Sequence, residues 1–244
     1  MLGDASLGAV VTTGDDEPDA VGVTVGLLAA IVLFIALQMY GAFILMGVIE
    51  EKSSAVIEVL LARIRAIHLL AGKVVGIGAV ALAQLAIGIV AAIVALRISG
   101  ADVPASVWAA VPSMLVWFLG GFVMYAFLYA MAGAMVSRQE DAQTASLPVT
   151  MLLLLVYLSI YVFVGEPDQP AARVLSLIPP FTPLLMPLRM ATGSASVLEI
   201  VAAMAIMAAA TAALAVFAAR IYTNLVLRRG GRITWLDAIR SRSA

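Results

Sequence analysis

The sequence predicts an all-α, polytopic membrane protein. It expects five transmembrane helices, a cytoplasmic amphipathic helix between the first two, and short external helices before the last. Three observations predict it. Hydrophobic residues make up 64% of the chain and charged residues 12%, against about 45–50% and about 25% in soluble domains. The mean hydropathy is +1.10. The apolar residues are gathered into five runs, each close to or above the roughly 20 residues that cross about 30 Å of hydrocarbon.

The chain opens on a polar lead-in, residues 1–20, whose charges are all acidic: Asp4, Asp15, Asp16, Glu17 and Asp19. It lacks the basic start of a secretory signal. The first span is Val21 to Ile49, longer than crossing requires, so tilt or protrusion is expected. The second is Val74 to Leu96. The third is Val107 to Val136, interrupted by Pro112 and Gly120-Gly121. The fourth is Leu147 to Val164. The fifth is Val197 to Ala219, continuing toward Leu227 before a basic tail, residues 228–244.

Lys and Arg in the connections set the orientation. Lys52, Arg63, Arg65, Lys73, Arg138, Arg220 and the five arginines of the tail lie on one side. Arg97, Arg173 and Arg189 lie on the other, with the acidic lead-in. The bias is eleven to three. It places the C-terminus and the Glu50–Lys73 segment in the cytoplasm and the N-terminus outside.

Two connections stand out. Gly165 to Ser196 holds six of the ten prolines, around apolar pieces such as Val174-Leu175 and Leu184-Leu185-Met186. It is too apolar for a solvated loop and too proline-broken for a full span. Short helices at or dipping into the outer interface are expected, with an irregular loop as the alternative. Glu50 to Lys73 is charged and amphipathic. At about 100° per residue, Glu51, Glu58 and Arg65 fall on one line, and Val56, Ile57, Leu60, Leu61, Ile64 and Ile67 fill the opposite arc. A plain interfacial anchor is one reading. Interfacial anchors favour Lys and Arg on the polar face, whereas here acids and bases alternate, which suits a protein partner.

The chemistry is bounded by what is missing. With no cysteine and one histidine, His68, disulfides, thiol chemistry and a single-chain His-cluster metal site are excluded. His68 reads as a surface or packing residue. There is no phosphate-binding loop: Gly72-Lys73 is followed by Val74, and Ile67 stands where the first glycine belongs. No catalytic residue and no metal site are expected. No Asp, Glu, Lys or Arg lies mid-span, which disfavours an ion-coupled carrier. Tyr125 and Tyr129, and Tyr157 and Tyr161, stand at i and i+4 and share helix faces. They read as packing residues or as the lining of a substrate path.

Four motifs carry a family resemblance. They are Val48-Ile49-Glu50-Glu51-Lys52-Ser53 with Ile57-Glu58-Val59-Leu60-Leu61 and Leu69-Leu70-Ala71-Gly72-Lys73; Gln139-Glu140-Asp141-Ala142-Gln143; Ile178-Pro179-Pro180-Phe181-Thr182-Pro183 with Met186-Pro187-Leu188-Arg189; and Arg220-Ile221-Tyr222 with Trp235-Leu236-Asp237-Ala238. In these the chain resembles the permease subunits of type-2 ABC exporters, in the branch associated with sodium or small-molecule export. The resemblance implies a multi-pass protein of the bacterial cell membrane, two permease halves (identical or different), and cytoplasmic ATPase subunits that hold the ATP and Mg. No cofactor is expected in this chain, and no nucleic-acid partner.

It further implies that the Glu50–Lys73 segment is a coupling helix, with Glu50, Glu51, Lys52, Glu58, Arg63 and Arg65 facing the ATPase. Glu140 and Asp141 would add an inner-loop contact. Such permeases have six spans, so a first span and external domain are missing by comparison. A proline common near the end of the coupling segment is Ala66 here. The implied function is outward transport by alternating access; the alternative is a non-transporting scaffold, assembly or immunity factor on the same fold. The cargo stays open between sodium and an amphiphile.

Overall fold

The computed structural model describes residues 20–53, 66–100 and 105–226. Within them are seven α-helices: α1 (Ala20–Ser53), α2 (Ala66–Ile98), α3 (Ala105–Ala134), α4 (Ala142–Phe163), α5 (Pro170–Leu177), α6 (Thr182–Ala191) and α7 (Val197–Val226). A single 3-10 turn, Gln139–Asp141, precedes α4. Five of the helices, α1, α2, α3, α4 and α7, are long and apolar enough to cross a membrane. The protein is an all-α, multi-pass membrane protein.

The third span is the hub. α3 packs against α1, α2, α4, α6 and α7, and its side chains from Phe122 to Ala134 are almost all buried. Close approach to α1 depends on two glycines. A Cβ at Gly41 of α1 would collide with the Tyr129 ring of α3, and one at Gly133 of α3 would lie 2.7 Å from the Leu45 carbonyl oxygen. Small residues that let backbones approach are the usual means of packing helices in lipid, where apolar burial gives little drive.

The periphery is apolar as well. α2 and α7 are the least buried spans. They expose Val75, Val80, Ile87 and Val90, and Val201, Met204, Val216 and Phe217, respectively. In a soluble bundle these faces would be polar; in a bilayer they meet lipid.

The long helices extend into the charged segment from both sides. α1 continues to Ser53 and α2 starts at Ala66, so both ends of the Glu50–Lys73 stretch belong to the spans. Long lysine stems can carry their amines away from apolar surroundings, so Lys52 and Lys73 do not stop these helices. Residues 54–65, with Glu58, Arg63 and Arg65, lie outside the described residues.

The expected short helices between the last two spans are α5 and α6. Each has Pro in its first turn, where the missing N–H costs nothing. α6 is more deeply placed than an interfacial helix. Its residues Thr182 to Arg189 are all buried, against α1, α3, α4, α5 and α7.

Candidate functional site

Two polar clusters mark the two ends of the bundle. The first gathers the end of α1, the start of α2 and the end of α3. Lys52 is buried, and its Nζ donates to the Ala134 carbonyl oxygen at 2.7 Å. The last carbonyls of a helix have no intrahelical donor and carry partial negative charge. A lysine amine placed there satisfies one of them and is itself stabilised.

Next to it, Glu51 pairs with Lys73 at 2.9 Å, both partly buried. The Lys73 amine lies against Gly47, where a Cβ would come within 3.0 Å of it. Glu50 is exposed, and its carbonyl accepts from the Ser53 hydroxyl. The 3-10 turn with Glu140 and Asp141 lies against α1. Glu140 is exposed and paired with Arg138 at 3.0 Å, an arrangement worth about 0–1 kcal/mol. His68 is exposed on the first turns of α2.

The predicted docking residues therefore divide. Glu50 and Glu140 point outward, and Glu51 is shared with Lys73. Lys52, unlike Glu50, is buried, with its amine on the open end of α3, where it acts as an internal strut between α1 and α3.

The tyrosines also separate. Tyr125 and Tyr129 are fully buried. Tyr125 donates to the Pro180 carbonyl at 3.0 Å, and Tyr129 donates to Gln38 Oε1 at 2.7 Å. Gln38 Nε2 reaches Thr150 Oγ1 at 3.2 Å. Both rings thus belong to the core joining α1, α3, α4 and the α5–α6 connection. Tyr157 stacks on Phe34, with ring centroids 4.5 Å apart, and its hydroxyl lies 2.6 Å from that of Tyr161. Tyr161 is half exposed.

The second cluster was missed in the sequence, where Arg189 read as a charge on the outer side and as the end of the Met186-Pro187-Leu188-Arg189 motif, not as a buried contact. Arg189 is 1% exposed. Its Nε donates to the Pro167 carbonyl at 3.0 Å, and Nη1 to Ser176 Oγ at 2.9 Å. Its Nη2 donates to the Ser194 carbonyl at 2.8 Å and to Glu199 Oε2 at 3.1 Å. One guanidinium therefore joins the turn before α5, α5 itself, the α6–α7 connection and the start of α7. The planar fork makes this possible.

Glu199 also accepts from the Ser196 backbone N–H at 2.9 Å, while Ser196 Oγ accepts from the Glu199 N–H at 3.3 Å. This is a capping box at the start of α7. The Ser196-x-x-Glu199 spacing before an apolar run was the available signal. At the surface of the cluster, Arg173 pairs with Asp168 at 2.6 Å, and its hydrogen bond holds the Asp168 carboxyl below the usual carboxylate range.

Among the described residues, no group of His, Cys, Asp and Glu could hold a metal ion. What the arrangement can do is mechanical: each end has charged side chains that fasten particular helices together.

A model of the family described as "ABC-2 family transporter protein" matches residues 10–219. The chain is 32% identical to the uncharacterized protein YhaP of Bacillus subtilis (strain 168), over 93% of this chain and 59% of that protein. It is 27% identical to the uncharacterized protein MJ1024 of Methanocaldococcus jannaschii, over 72% of this chain and 43% of that protein. The chain thus spans about half the length of these curated relatives. No solved structure matches it. With five apolar spans and a family match over most of its length, the chain belongs to the ABC-2 family of transporter proteins.

Proposed function

We propose that the chain is the permease part of an ABC exporter, moving its cargo outward by alternating access while a separate ATPase subunit supplies the energy. The observation that carries this reading is the fastening of the α1 end to the hub. Lys52 ties it to the end of α3, and Glu51 ties it to α2. A displacement delivered between residues 53 and 66 would therefore be passed to three spans at once. The excess of Lys and Arg at this end supports a cytoplasmic position for it, on the side of ATP.

The ATPase contact comprises Glu50, Glu51, Glu58, Arg63 and Arg65, with Glu140 and Asp141 beside it. The functional unit joins two permease halves with ATPase subunits, and ATP and Mg are bound there. The cargo class favoured by the apolar, tyrosine-dotted spans is an amphiphile.

The test is co-purification with candidate ATPases, using Arg63→Glu and Arg65→Glu. The expected result is loss of the complex and of cargo-stimulated ATP hydrolysis. An intact complex with unchanged stimulated hydrolysis would remove Arg63 and Arg65 from the contact, and the absence of any cargo-stimulated hydrolysis with the unaltered chain would favour a non-transporting scaffold. Stimulation by sodium and by no amphiphile would overturn the cargo class.

A further inference from the structure

A cleft of about 520 Å³ runs between α1, α2 and the start of α3. Its walls are apolar, with Val25, Val32 and Met39 on α1 and Gly88, Ala92 and Leu96 on α2. One end is closed by a hydrogen bond from the Tyr40 hydroxyl to Gln84. The other end opens at Leu96, next to Arg97, which is exposed. Trp108, half exposed, stands at the same end of the bundle.

We propose that this cleft binds an anionic phospholipid of the surrounding bilayer, with one acyl chain between α1 and α2 and the phosphate at Arg97. Size, length and charge each support this occupant. At about 30 Å³ per water-sized group, the cleft holds about 17 such groups, the bulk of one long alkyl chain. From Gln84 to Arg97, α2 rises about 20 Å at 1.5 Å per residue, which spans most of one leaflet and leads from a polar stop to a cationic mouth. An arginine at the headgroup level forms charge-assisted hydrogen bonds with a phosphate, a net negative headgroup is attracted to it more than a zwitterionic one, and an exposed Trp is favoured at that level. The site is independent of the transport reading.

The test uses the full chain in detergent, titrated with phosphatidylglycerol or phosphatidylcholine and read by native mass spectrometry. One tightly held phosphatidylglycerol per chain is expected. Gly88→Phe fills the cleft at a position where an added Cβ meets nothing within 4 Å, so helical content and melting temperature should hold. Its phosphatidylglycerol occupancy should fall at least five-fold. Arg97→Gln should reduce the preference for phosphatidylglycerol at least three-fold while leaving phosphatidylcholine binding unchanged. If Gly88→Phe does not fold, Ala92→Phe carries the same test.

Unchanged occupancy in a folded, filled variant would overturn the proposal. So would equal binding of the two lipids by the unaltered chain. A filled variant that loses only its oligomeric state would assign the cleft to a second copy.

Discussion

The Lys52 amine meets the Ala134 carbonyl oxygen at 2.7 Å, joining the last turn of α1 to the last turn of α3 across 82 positions of sequence. Replacing Lys52 by Met keeps the apolar stem and deletes the donor. The carbonyl then loses its partner at a buried site, a cost of about 1–3 kcal/mol. Thermal unfolding in detergent should show a melting temperature lowered by several degrees. In the ATPase complex, cargo stimulation should fall while the complex persists. An unaltered melting temperature would show that Lys52 is not a strut.

Arg189→Lys should be nearly as damaging as Arg189→Gln. A single amine cannot reach acceptors on Pro167, Ser176, Ser194 and Glu199 that a guanidinium meets together. Breaking a buried ion pair by removing one member costs about 3–5 kcal/mol. Glu199→Gln should cost less, because Gln can also serve in the capping box at Ser196. Chemical denaturation of the three variants should rank them in that order.

Tyr129→Phe removes a buried hydrogen bond to Gln38 and should lower stability by about 1 kcal/mol. Tyr161→Phe, at a half-exposed ring, should be close to neutral. If Tyr129→Phe instead changed cargo selectivity at unchanged stability, the ring would belong to a substrate path after all.

Gly41→Leu forces a side chain into the Tyr129 ring. Overpacking of this kind costs about 1–3 kcal/mol. Gly72→Ala is the contrasting case, since its added Cβ meets nothing within 4 Å. In a helix the exchange should be neutral or stabilising by up to about 1 kcal/mol. The pair, measured by thermal unfolding, separates close packing from helix propensity.

Acid should loosen the surface of the hairpin cluster. Asp168 titrates below its ordinary value near 3.8, chiefly through its hydrogen bond with Arg173. A carboxyl so depressed adds stability that is present above the unfolded value and is lost as pH falls through the folded one. Hydrogen exchange around α5 should be faster in Asp168→Asn than in the unaltered chain at about pH 7, and the difference should shrink as pH falls below the ordinary carboxylate value.

The spans were legible because crossing hydrocarbon demands long uninterrupted apolar runs, and such runs are visible without knowledge of neighbours. The proline-rich connection was legible as short helices for a similar local reason. Its depth was not, because burial of α6 depends on α1 and α3 leaving room for it, as at Gly121, where a Cβ would fall 2.6 Å from Pro183. The charged positions were legible as charges and illegible as contacts. Nothing near Arg189 in sequence announces Pro167, 22 positions away, and nothing near Lys52 announces Ala134. The Tyr125–Tyr129 spacing correctly put both rings on one face, but only packing decides whether a face meets a cavity or another helix.

The Arg189 cluster also limits how the bundle can deform. Its four acceptors come from segments on both sides of α6, so α5, α6 and the first turn of α7 cannot change their mutual angles without stretching at least one of those bonds. They form a rigid cap carried on the last span and pinned to α3 by the hydrogen bond from Tyr125 to the Pro180 carbonyl, so an opening at this end that leaves the cap intact has to release that one bond.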